Sequence, residues 1–202
     1  MPIALTPLTL DQFLALTCAK ADRVDPGQPE SLSNAFQELE NGEIIEMPAE
    51  SELNRRIAMF LVAELLKAGF SFQQLTLKTE VAVSGARATV RVPDVLVLSE
   101  ELAAVLAGAS RSIVLMDMPP PLLAVEVVSP GQEVRDYRYK RSEYGARGIA
   151  EYWIVDPQAD RVTVLTRVEG LYEEAQFTGT ATIVSAVCPG LTLTANQILS
   201  PG

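Results

Sequence analysis

The stretch Leu122-Leu-Ala-Val-Glu-Val-Val128 constrains this chain more than any other segment. It is nearly all apolar, it is led in by Pro119-Pro-Pro121, and Ser129-Pro130-Gly131 follows it. That length and composition describe a strand covered on both faces, which needs a layer above it and a layer below it. The flanking patterns supply those layers. Glu50 to Lys67 repeats apolar residues at helical spacing, with Pro48 placed for its first turn and Gly69 behind it. Ser99 to Leu106 predicts a short helix, and a longer one runs from Ser129-Pro130-Gly131 to about Arg147, with Gly148 next. Phe70 to Ser84 and Thr89 to Leu98 alternate as two strands joined at Ser84-Gly85.

Towards the N-terminus, Thr9 and Gln12 form a capping box ahead of Phe13. Asp25-Pro-Gly-Gln-Pro29 is a turn, Ser33 to Glu40 a short helix ended at Asn41-Gly42, and Glu43 to Met47 a strand. Towards the C-terminus, Ile149 to Val155 is a strand, Asp156-Pro157 a turn, and 161–168, 172–177 and 182–184 a meander. The order predicts an α/β domain over 1–202 whose central mixed sheet is flanked by helices. A helical extension occupies 1–40, the core 41–157 and the C-terminal hairpins 158–202.

Composition narrows the function. Histidine is absent, which removes His triads, His metal ligands and a His general base. With 16 basic and 26 acidic side chains the net charge is -10, which argues against coating nucleic acid or anionic lipid. It leaves room for a local basic cleft. The two cysteines, Cys18 and Cys188, are too few for a disulfide framework, so a reducing cytoplasm is expected. No apolar run approaches the ~20 residues that span a bilayer. The first residues lack the basic start of a signal peptide.

Two carboxylates stand where apolar residues belong: Asp94 within Arg91-Val-Pro-Asp-Val-Leu-Val-Leu98, and Glu126 within the central run. Burying either is costly without a cation or partner. Two readings are open. Each could meet water or an arginine at a strand end, or the two could converge on one hard cation such as Mg²⁺. The helix after Glu126 carries Lys140, flanked by Tyr137 and Tyr144, at the edge of a face that also holds Val134, Arg141 and Gly148. Its ammonium could lean towards the sheet and offset charge on a phosphate, or simply pair with Asp136 one turn back. Arg55, Arg56, Arg87, Arg91, Arg135, Arg138, Arg141 and Arg147 could line a basic cleft or form a solvated face.

The runs Arg91-Val-Pro-Asp-Val, Ala124-Val-Glu-Val-Val-Ser-Pro130, Asp136…Lys140…Tyr144…Gly148 and Glu151-Tyr-Trp-Ile-Val-Asp-Pro157 resemble the Uma-type family of restriction endonucleases, within the PD-(D/E)XK nuclease superfamily. The resemblance covers about residues 40 to 190. It implies a restriction-endonuclease-like fold in which Asp94 and Glu126 bind a divalent metal, Mg²⁺ or Mn²⁺. A glutamate of the preceding helix often joins them, here Glu52 or its neighbour Glu50. The superfamily lysine would stand two residues after Glu126, where this chain has Val128; the resemblance moves that role to Lys140. Where the family tends to carry a histidine, this chain has Asn54.

The expectation is a metal-dependent DNA endonuclease that hydrolyses phosphodiester bonds. Asp94, Glu126, Lys140 and Glu52 are its site, and nucleases of this architecture commonly work as homodimers. An alternative is a catalytically inactive module that keeps the scaffold to bind protein or nucleic acid. A third class is a phosphoesterase acting on small molecules.

Overall fold

A two-stranded ribbon runs from one β-sheet into a second. The structure, a computed structural model, describes residues 7–21, 36–83 and 89–201. After helix α1 (Leu10–Ala21) come strands β1 (Gln37–Glu40) and β2 (Glu43–Glu46), then helix α2 (Glu52–Lys67). Strands β3 (Leu75–Leu77), β4 (Glu80–Ala82), β5 (Val90–Arg91) and β6 (Val95–Val97) lead to helix α3 (Glu100–Leu106) and strand β7 (Ile113–Val114). Strand β8 (Leu123–Val127) feeds a wide π-helical turn (Arg135–Lys140) that continues as helix α4 (Arg141–Arg147). Strands β9 (Glu151–Asp156), β10 (Arg161–Val168) and β11 (Leu171–Phe177) and helix α5 (Ala195–Leu199) complete the order.

One sheet runs β2-β1-β5-β4-β7 and the other β11-β10-β9-β8-β6-β3. Both are mixed, with β4–β7 and β8–β9 parallel. The expected mixed sheet flanked by helices is present, and a second, smaller sheet forms because each predicted strand of the ribbon breaks. Residues 70–84 divide at Lys78, whose φ of +53° no strand residue adopts, and 89–98 divide at Pro93-Asp94. The halves β3 and β6 pair in the larger sheet, while β4 and β5 pair in the smaller.

The central strand β8 is buried along its whole length. Leu123, Val125 and Val127 face Ile57, Leu61 and Leu65 of α2, together with Trp153 and Ile198. On the opposite face Ala124 and Val128 meet Leu102 of α3 and Tyr144 of α4. Phe13 of α1 closes the smaller sheet against Leu39, Val90 and Ile113.

Several expectations need correction. Residues 37–40, read as part of a helix, form a hairpin with β2. Asn41 and Gly42 both have positive φ, the signature of a type I′ hairpin turn, so this dipeptide joins strands and does not end a helix. Residues 33–35, the turn at 25–29, the joint at 84–85 and Arg87 lie outside the described residues. Pro48 precedes α2 and is not in its first turn, since Ser51 is the N-cap. The stretch 182–184 contributes only a bridge between Thr182 and Thr194. Helix α5 was not expected, although Thr194 and Gln197 form the same capping box as Thr9 and Gln12. Among the described residues no helix is long and apolar enough to cross a membrane.

Candidate active site

Where the ribbon leaves the smaller sheet, β6 and β8 pair with Val95 opposite Val125, so the register places Asp94 across from Glu126. The Asp94 N–H donates to Val125 O at 3.0 Å. Its Oδ2 accepts the Val127 N–H at 2.5 Å, so the ladder continues through a side chain. Glu126 points with Ala124 and Val128 to the α4 side, where the Tyr144 hydroxyl donates to Oε1 at 2.6 Å. Lys140 Nζ lies 2.8 Å from Glu126 Oε2 and 2.9 Å from Asp136 Oδ1, and each of these side chains is about 5% exposed. Asp94, Glu126 and Lys140 come from three different elements and line one cavity of about 360 Å³.

Lys140 leans towards the sheet, where it pairs with Asp136 and also reaches Glu126. The buried face is rotated from the expected one, since Val134 is 60% exposed while Asp136, Lys140 and Tyr144 are buried. The cause is the wide turn at 135–140, which adds a residue per turn and shifts the register of a regular helix.

One ammonium serves two buried carboxylates, which fixes the electrostatics. Burial pushes the Glu126 carboxyl up to about 8 against the pull of Lys140, and burial also raises Asp136. Burial alone would lower Lys140, but Glu126, Asp136 and Glu38 together hold its pKa above the usual lysine value. Glu38, fully buried on β1, is displaced upward by burial but pulled below its usual value by Lys140, Arg91 and Arg135. Arg91 forks onto Glu143 at 2.7 and 2.8 Å and also holds Glu38 and Glu40, both at 2.9 Å.

Glu52 does not join this group. It sits on the exposed side of α2 with Arg55 and Arg56, whose hydrogen bonds hold its carboxyl down at about 2. Glu50, just ahead of the helix, does line the cavity. Asn54 is buried, and its Nδ2 donates to Val127 O at 3.2 Å and to Ser129 Oγ at 3.0 Å. That fixes the backbone beside Glu126. Lys78 carries no mark in the sequence pattern, yet its Nζ bonds Asp94 Oδ1 and lies 3.2 Å from Glu50.

Among the described residues the arginines do not gather into one cleft. Arg91 and Arg147 are buried, the latter on the carbonyls of Ala82, Leu115 and Met118. Arg141 pairs with Glu174, and Arg135, which does line the cavity, pairs with Glu38 and Glu40.

Asp94 and Glu126 offer hard oxygen donors to one cavity, a set that suits Mg²⁺ held by one or two carboxylates with waters and phosphate. No cluster of three or more His, Cys, Asp or Glu residues suited to a metal occurs among the described residues, so water and substrate would have to complete any coordination.

The chain matches the family described as Uma2, putative restriction endonuclease, over residues 30–196. No curated protein matches. Among solved structures it is similar to a putative nuclease belonging to DUF820 from Anabaena variabilis, at 19% identity and a TM-score of 0.69. That match covers 96% of this chain and 98% of the other, and it shows a shared fold.

Proposed function

Because this chain belongs to the Uma2 family of restriction endonuclease-like proteins, we propose that it is a metal-dependent DNA endonuclease hydrolysing phosphodiester bonds. The observation that carries this reading is the meeting of Asp94, Glu126 and Lys140 in one cavity, with Nζ 2.8 Å from Glu126. Asp94 and Glu126 would hold Mg²⁺ or Mn²⁺. When bound, such an ion supplies Lewis acidity at a phosphate oxygen and lowers the pKa of a bound water.

The chain's own groups do the rest. The Tyr144 hydroxyl fixes one oxygen of Glu126, so the carboxylate keeps one orientation. The Val127 N–H does the same for Asp94. Lys140 remains charged in a water-poor setting, where an ammonium offsets phosphate charge better than it would in water. There it orients the attacking water for in-line displacement. A homodimer would place two such sites on a duplex, and light scattering measures it.

The non-catalytic alternative draws on one observation: each carboxylate already contacts an ammonium, Lys78 at Asp94 and Lys140 at Glu126. Nicking of supercoiled plasmid separates the two. The wild-type chain should nick in Mg²⁺ and stop in EDTA, and Asp94→Ala and Glu126→Ala should each abolish nicking. Cleavage retained by both variants would overturn the site. A chain that neither nicks nor binds Mn²⁺ would be the scaffold module.

A further inference from the structure

Lys78 stands at the break between β3 and β4, in a left-handed conformation that side-chain-bearing residues avoid. The break is held from several sides. The Thr76 and Thr79 hydroxyls bond to one another, Thr79 bonds Ser112 Oγ at 2.8 Å, and the Glu80 N–H donates to Ser112 O at 3.0 Å. This conformation delivers the side chain into the cavity, where Nζ bridges Asp94 and Glu50. The side chain is only 21% exposed, so the contact is not a loose surface pair. Across the cavity, Lys140 pairs with Glu126 and Asp136. Lys78 is therefore the cation that covers Asp94.

We propose that Lys78 is a resident counter-cation of the candidate metal site, occupying the free oxygen of Asp94 until a divalent ion displaces it. The inference rests on the metal-site reading above, and it concerns who competes with the metal. Asp94 has two oxygens: Oδ2 is committed to the Val127 N–H and Oδ1 to Lys78. A hard cation seeking Oδ1 must therefore move the ammonium and loses affinity by doing so. Once displaced, Lys78 stays tethered at the cavity, where the next anion to arrive is a substrate phosphate. The site thereby couples metal entry to the release of a phosphate-binding group.

The test is Mn²⁺ affinity by titration calorimetry, with lysine labelling as a second readout. Lys78→Met removes the charge and keeps the bulk. Lys78→Gly removes the charge and also suits the positive φ, so it guards against a folding defect. Both should bind Mn²⁺ roughly tenfold more tightly than wild type, about 1.4 kcal/mol. In the wild type, Mg²⁺ should raise acetic anhydride labelling of Lys78 relative to the exposed Lys67. If both variants bind Mn²⁺ no more tightly than wild type while Asp94→Asn abolishes binding, the counter-cation role is overturned and the metal site stands. If Asp94→Asn leaves Mn²⁺ binding intact, or no form binds the ion, the metal site itself fails and this role with it.

Discussion

Replacing Lys140 by methionine removes the one cation between two carboxylates and keeps most of the side chain's volume. In the wild type Nζ is 2.8 Å from Glu126 and 2.9 Å from Asp136, all three side chains being about 5% exposed. Breaking a buried pair by removing one partner costs about 3–5 kcal/mol, a large share of the ~5–15 kcal/mol that holds a domain folded. The two acids have an escape, because each can take a proton. Burial already holds Glu126 up at about 8, and without the ammonium both folded-state pKa values rise further. Below about 8 Glu126 is protonated in either protein and the loss is smaller. As pH rises through about 8 the variant must either bury charge or retain a proton that the unfolded chain has shed. Lys140→Met should therefore lose about 3–5 kcal/mol at pH 9 and about 1.4 kcal/mol less at pH 5.5, the one pKa unit by which pH 9 exceeds the wild-type Glu126 value. Urea unfolding followed by Trp153 reads this directly, since it is the chain's single tryptophan and is fully buried. A loss under about 1 kcal/mol at pH 9, or equal losses at both pH values, would show that the ammonium is not what lets these acids stay charged when buried.

In the wild type, Glu126 has a folded pKa above its unfolded one, so its contribution is present at low pH and fades as pH rises through about 8. Stability should thus decline between about pH 5 and 8, by at most ~1.4 kcal/mol per pH unit; Glu126→Gln should flatten that decline in urea midpoints, and coincident profiles would contradict it. Gly42→Ala should destabilise by at least about 1 kcal/mol in thermal melts. Its φ is +85° and the added Cβ would lie 2.5 Å from Pro7 Cβ, so an unchanged melting temperature would show that the hairpin turn is misplaced. Arg91→Lys should cost about 2–4 kcal/mol, because a lysine cannot reproduce the two-pronged contact with Glu143 while also holding Glu38; urea midpoints matching wild type would refute it.

Much of the site is legible in the sequence because its acids interrupt apolar runs. Asp94 and Glu126 stand out for that reason, and Lys140 follows from the helix that starts just after Glu126. The same logic has a trap. Glu151 also interrupts an apolar run and is fully buried, yet its partners are Trp153, Ser185 and two backbone N–H groups. It anchors the C-terminal segment and, among the described residues, contacts no ammonium. Periodicity cannot say which buried acid has a cation beside it.

Glu52 shows a second limit. The family resemblance points to it, but Arg55 and Arg56, three and four residues on, claim it at the surface. Lys78 and Glu38 were not legible at all. Alternation across residues 70–84 reads as one strand, and only tertiary structure, two sheets sharing a ribbon, breaks it at Lys78. Glu38 lies on a strand that helical signals masked, and its partners are 53 and 97 residues away. The Asn41-Gly42 pair was the available clue, because that dipeptide is a hairpin turn as readily as a helix end.

The most direct test of the account is a crystal structure in Mn²⁺, read from anomalous scattering. A peak should appear in contact with both Asp94 and Glu126, with Lys140 still beside Glu126 and Lys78 withdrawn from Asp94. Saturating Mn²⁺ with no peak there, or a peak touching neither carboxylate, would contradict the metal-site reading.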